Sequence, residues 1–179
     1  MVRSYLAGLT MLMSMAIAQP ILAVNPPATT PITQPDSQTL ASLTATLQQN
    51  PQDIDAHIER GFLYLQLNQN LAAIDDYNAV IKIDPNHALA YNNRAIAKTH
   101  LRDNWGAYLD YTQAIKIRPN QPMTHNYRAV VRQRLGDCKG AIADLRIAAE
   151  LFRQQGDNVN YQRTLASLKQ FQAKIYQKV

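Results

Sequence analysis

The segment YNAVIKIDPN, residues 77–86, returns as YTQAIKIRPN at residues 111–120, and this recurrence decides the fold. Working outward from it, a shift of 34 residues aligns Arg60, Arg94 and Arg128. The same shift aligns Ala73, Ala107 and Ala141, then Asp76, Asp110 and Asp144. Gly61 falls on Ala95 and Ala129, Tyr77 on Tyr111 and Leu145, and Pro85 on Pro119. A self-similarity held at one spacing through three copies marks a repeat architecture. The units are 54–87, 88–121 and 122–155.

Each unit reads as two helices. In the first, 54–67 is helix A, Asn68-Gln69-Asn70 turns, and 71–83 is helix B. Asp84-Pro85-Asn86 ends helix B, because proline has no N–H to give and disfavours a helical residue before it. Expected N-caps are Asp53, Asn70, Asn104 and Asp137, and Pro122 suits the first turn of the third helix A. Small residues at 61, 95 and 129 on helix A and at 73, 107 and 141 on helix B let the helix axes approach closely. The recurrent Arg and Asp lie sixteen residues apart in every unit: Arg60/Asp76, Arg94/Asp110, Arg128/Asp144. A catalytic pair repeated three times is implausible, so these are read as structural ion pairs joining helix A to helix B.

This order of small, tyrosine, alanine and proline positions resembles the tetratricopeptide repeat (TPR) family over residues 54–155. It departs where Lys98 and Arg132 stand in place of Tyr64, and where Arg153 stands in place of a third proline. The resemblance implies an all-α, right-handed αα superhelix of three helix–turn–helix repeats. Residues 37–53 then serve as an N-terminal capping helix and 156–179 as a C-terminal one, with Leu165, Leu168, Phe171 and Ile175 at helical spacing.

It also implies a binding groove lined by helix A. Its residues here are Asp55, Ile58, Phe62, Leu65 and Gln66, then Leu89, Asn92, Ile96, Thr99 and His100, then Met123, Asn126, Val130, Gln133 and Arg134. Phe62, Ile96 and Val130 make an apolar row beside Ile58, Asn92 and Asn126, a lining suited to a peptide. One TPR subclass clamps acidic C-termini of heat-shock chaperones with Lys, Asn and Arg. Of its five positions Asn93 matches, while Ile58, Phe62, Met123 and Tyr127 do not, so that activity is not expected.

The remaining sequence bounds the function. His57, His87, His100 and His125 show no metal-ligand spacing, and HExxH, CxxC, GxSxG and phosphate-cradling glycine motifs are absent. The expectation is a non-enzymatic binding protein without metal, cofactor, small-molecule substrate or nucleic acid. Residues 1–23 read as a secretory signal: Arg3, an apolar run to Ala18, a break at Pro20 and cleavage after Ala23, with Ala18 as the alternative. Residues 24–36 are a Pro/Thr-rich linker. The expected location is the periplasm or an equivalent lumen such as that of a thylakoid, with an uncleaved membrane anchor as the alternative. Charge is uneven: 24–110 carry five basic and nine acidic groups, hence −4, and 111–179 carry twelve and four, hence +8. Those opposed halves, with the single Cys138, leave a homodimer as the alternative to a scaffold for another protein.

Overall fold

The computed structural model describes residues 37–176, and the leader and linker read from the sequence lie outside them. Eight helices follow in order: α1 (Ser37–Gln49), α2 (Ile54–Gln66), α3 (Asn70–Ile83), α4 (Ala88–His100), α5 (Asn104–Ile117), α6 (Pro122–Arg134), α7 (Cys138–Gln154) and α8 (Asn158–Tyr176). They pack as an αα solenoid in which each helix rests mainly on its neighbours in sequence. Helices α2, α4 and α6 are the A helices of the three repeats, and α3, α5 and α7 the B helices. Among the described residues, no helix is long and apolar enough to cross a membrane.

Packing follows the small residues. Ala73, Ala95, Ala107, Ala129 and Ala141 are fully buried, and so are Tyr77 and Tyr111. Gly61 marks a close A–B approach: a Cβ there would lie 2.9 Å from the Tyr77 ring. The A–B turns share a second device. After the C-caps Leu67, Leu101 and Leu135, the residues Asn68, Arg102 and Gly136 all take positive φ, ending each A helix in the left-handed conformation.

The caps correct two sequence expectations. Asp53 accepts from the Ala56 N–H and Asp137 from the Gly140 N–H, each at the expected N-cap. Asn70 and Asn104, however, are the first residues inside their helices, and Asp103 caps α5 by accepting from Gly106 N–H at 2.9 Å. Asp outcompetes the following Asn here because its carboxylate is a pure acceptor facing the positive end of the helix dipole. Asp103→Ala is expected to cost about 1 kcal/mol in chemical denaturation. Asn104→Ala, whose buried Oδ1 has no partner among the described residues, is expected to cost nothing measurable.

The ends of the stack are finished differently. Helix α1 sits where a B helix would precede the first repeat, with Pro51 one repeat before Pro85. It exposes Thr39, Ser42 and Thr46 at the positions where α3 buries Ala73, Asp76 and Val80. Among the described residues no A helix precedes α1, and this B-type helix is polar and exposed at these positions. At the other end Leu168 and Phe171 of α8 pack on Ala129, Ala141 and Leu145. Helix α7 has 17 residues against 14 in α3 and α5, because Arg153 stands where proline would stop it.

Candidate functional site

Two sets of repeated side chains were expected from the sequence, and the structure treats them differently. The Arg–Asp set is brought together in all three units with bidentate geometry. Each Arg Nε donates to the Asp Oδ2 at 2.9 Å. The Nη2–Oδ1 distances are 2.7 Å for Arg60–Asp76, 2.6 Å for Arg94–Asp110 and 2.7 Å for Arg128–Asp144. The carboxylates are buried, so both oxygens need donors and the guanidinium fork supplies them.

Each arginine has a third arm that the sequence reading did not include. Its Nη1 donates to the preceding B-type helix: Arg60 to Thr44 at 3.3 Å, Arg94 to Asn78 at 2.7 Å, Arg128 to Thr112 at 3.3 Å. One guanidinium therefore pins three consecutive helices, α1 included. The signal was available, since Thr44, Asn78 and Thr112 stand at the same repeat position and all can accept. The departures at Lys98 and Arg132 also find a reason. Lys98 Nζ lies 2.8 Å from Asp110 and Arg132 Nη1 3.1 Å from Asp144, each a second cation on a buried carboxylate. In the first unit, where Tyr64 holds that position, His57 Nδ1 meets Asp76 at 2.8 Å instead. His57 and His125 also reach back to the carbonyls of Pro51 and Pro119, tying helix A to the turn before it.

The A-helix face, concave in this architecture, is less uniform than its sequence. Phe62 and Leu89 are 41% and 46% exposed, the large apolar groups this face offers to solvent. Asp55, Glu59, Phe62 and Gln66 form one exposed side of α2. Ile58 and Leu65 are partly buried against the first-unit core, and Ile96, Met123 and Val130 are half-buried. Thr99 is buried and donates to its own helix through the Ala95 carbonyl. Gln133 is half-buried, whereas His100 and Arg134 are exposed at the far end of α4 and α6. His100 Nδ1 lies 3.0 Å from Asn70 Oδ1. Desolvation by its neighbours, with the Arg134 charge adding to it, holds the His100 imidazole below its ordinary pKa.

The two asparagines expected to offer amides to a peptide are engaged within the stack. Thr124 Oγ1 donates to Asn92 Oδ1 at 3.1 Å, and Asn126 Nδ2 donates to Thr164 Oγ1 at 2.9 Å. Each bond links one A-type helix to the next. Asn93, the single match to the chaperone clamp, lies beside the buried Tyr77 ring, whose hydroxyl burial drives upward in pKa. Among the described residues, no group of three or more His, Cys, Asp or Glu could hold a metal ion.

Residues 54–87 match the family model for the tetratricopeptide repeat. The fold is the TPR solenoid. A MamA chain from Desulfovibrio magneticus RS-1 superposes on this TPR fold with a TM-score of 0.61 at 22% identity, over 65% of this chain and 66% of its own. The TPR domain of Arabidopsis OM64 matches at 0.59 and 27% identity, over 65% of this chain and 94% of that domain. The first TPR domain of Spaghetti (RPAP3), solved bound to the HSP90 peptide SRMEEVD, matches at 0.61 and 21% identity, over 80% and 98%. The sequence has no significant match among the curated proteins.

Proposed function

We propose that this protein is a non-catalytic scaffold that holds an extended segment of another protein against the A-helix face of its TPR solenoid. The observation that carries the reading is the exposure of Phe62 and Leu89 on that face. A solved likeness of the same fold holds a peptide. The chemistry of the face selects the segment. Ile58, Phe62 and Met123 put apolar groups where the chaperone clamp needs cations and amides, the fourth such position, Tyr127, is buried, and Asp55 and Glu59 lie exposed beside Phe62. An acidic C-terminus is repelled there, and an apolar segment, with a basic residue toward α2, is favoured. The leader features at residues 1–23 support action in the periplasm or an equivalent lumen.

The test begins with a partner recovered from the producing cell's envelope fraction, titrated calorimetrically against variants. Phe62→Ala and Ile96→Asp are expected to weaken binding by roughly 1–3 kcal/mol each, the first by losing an apolar anchor and the second by placing a charge among groups that must be desolvated. Lys116→Ala, on the opposite side of the stack, is expected to leave affinity unchanged. Wild-type affinity in folded Phe62→Ala and Ile96→Asp would place the partner elsewhere. Asn92 and Asn126 serve this test poorly, since their loss also cuts the links to Thr124 and Thr164.

A further inference from the structure

The outer face of the B helices is built on one template used three times, which makes its irregularities visible. Helix α3 exposes a stripe of Leu71, Asp75, Asn78 and Lys82, and α7 exposes Lys139, Ala143, Arg146 and Glu150 at the same repeat positions. In the central helix α5 the first two places hold Trp105 and Leu109, 60% and 50% exposed. They lie one turn apart, so they share a face. Leu101, also exposed, ends the A helix just before them. The Trp105 ring stacks on Tyr108 at 5.3 Å between centroids, which fixes a broad apolar surface and leaves it in water. Two adjoining large apolar side chains at the centre of this face, with Leu71 exposed on α3 and Ile147 on α7 to either side, form an apolar surface that marks an interaction site.

The flanks identify the occupant. On the α3 side the neighbour of Leu109 is Asp75, and on the α7 side lie Lys139 and Arg146. Further down the helices, Lys82 on α3 is answered by Glu150 on α7, whose carboxylate also accepts from Arg153 and Gln154 of its own helix. An apolar centre with opposite charges on its two sides is complementary to itself: a twofold axis running along α5 lays α3 of one copy over α7 of the other. Trp105 and Leu109 then meet their own counterparts, Asp75 meets Lys139 and Arg146, and Lys82 meets Glu150, while Lys116 at the end of the α5 stripe is set against its own counterpart. A second twofold, perpendicular to α5, would instead set Asp75 against its own α3 and lose those pairings. We infer that a second copy of this chain docks on the Trp105–Leu109 face, giving an isologous dimer about an axis parallel to α5. The dimer leaves the A-helix faces of both copies free.

Trp105 is the sole tryptophan of the chain, so intrinsic fluorescence reports on this face alone. With the purified chain in reductant, which removes any Cys138 crosslink, rising concentration should double the sedimenting mass. The tryptophan emission should move to shorter wavelength over the same range. Leu109→Asp, which keeps the fluorophore, should weaken the dimer about a hundredfold by burying a charge in its centre. Asp75→Lys should weaken it about tenfold, and adding Lys139→Glu and Arg146→Glu in the same chain should restore it. A monomer at every concentration overturns the proposal, as does a dimer indifferent to Leu109→Asp or a charge exchange that does not restore association. An emission shift that requires phosphatidylcholine–phosphatidylglycerol vesicles rather than concentration overturns it too and assigns the face to a lipid surface.

Discussion

Asp144→Ala is expected to lower the stability of the folded protein by about 3–5 kcal/mol, measured by denaturant unfolding. Asp144 is 1% exposed and accepts both Nε and Nη2 of Arg128, with Arg132 at 3.1 Å and His125 at 3.5 Å. Removing it strands the largely buried Arg128 guanidinium and leaves Arg132 with only Asp137, at 3.5 Å, as an anionic partner. An exposed pair makes the comparison: Glu150→Ala removes the partner of Arg153 at 2.7 Å and should change stability little, because water solvates both ends. The acid limb of stability carries the same information. Burial acts to raise the Asp144 pKa, but the hydrogen bonds of His125 and Arg128 and the nearby charges outweigh it, leaving the group below its ordinary value. Its stabilisation is therefore fully present above the ordinary carboxylate value of about 3.9 and is lost as pH falls through the depressed folded value. The Asp144→Ala variant should lack that part of the acid dependence. An Asp144→Ala protein as stable as the parent would show the carboxylate to be dispensable and remove the clamp from the account of this fold.

Tyr111→Ala should cost about as much, roughly 3–5 kcal/mol, by a different route. The ring is fully buried between the second and third repeats, with the Tyr127 ring centroid 5.9 Å away. Truncation opens a cavity among side chains of helices already held at close approach by Ala95 and Ala107, which cannot collapse into it. The hydroxyl behaves otherwise. Thr99 is the polar neighbour it meets, without a well-formed hydrogen bond between them, and burial drives the hydroxyl pKa upward. Tyr111→Phe is therefore expected to be neutral or slightly stabilising, since it removes a desolvated polar atom whose contact with Thr99 returns little. Denaturant midpoints of the two variants separate ring from hydroxyl, and a large loss in Tyr111→Phe would show that the oxygen is satisfied after all.

The three repeats were legible in the sequence because each local signal repeats in register. Proline at 85 and 119, alanine at 73, 107 and 141, and the Arg–Asp spacing of sixteen all answer constraints that act within one unit. Such signals survive without knowledge of the neighbours. The candidate groove was legible as a set of positions, but the state of each side chain was not. Asn92 and Asn126 differ from free amides through Thr124 and Thr164, which lie 32 and 38 residues further on. The second of those spacings breaks the repeat, because α7 is longer than α5 and Thr164 sits a turn further along α8 than Thr124 does along α6, so no fixed shift aligns the pair. Lys98 and Arg132 looked like departures from the pattern, yet each places its charge on the buried carboxylate that the pattern itself creates.

By itself the sequence determined the repeat length, the A–B pairing of helices and the residues that would face one another inside a unit. These follow from backbone rules and from contacts between residues sixteen or so apart, which periodicity records. Tertiary structure alone decided which groups meet across units and which remain in water. It joined Arg60 to Thr44 on α1, closed Asn126 onto α8, and left Phe62 and Leu89 open on one face and Trp105 and Leu109 on the other. The physical reason is that burial is a property of the whole stack. Leu71, Trp105 and Lys139 occupy one repeat position and Asp75, Leu109 and Ala143 the next, and all six lie exposed, outside the core of their own unit. What stands there is free of the fold's demands, and its chemistry records what comes to the surface.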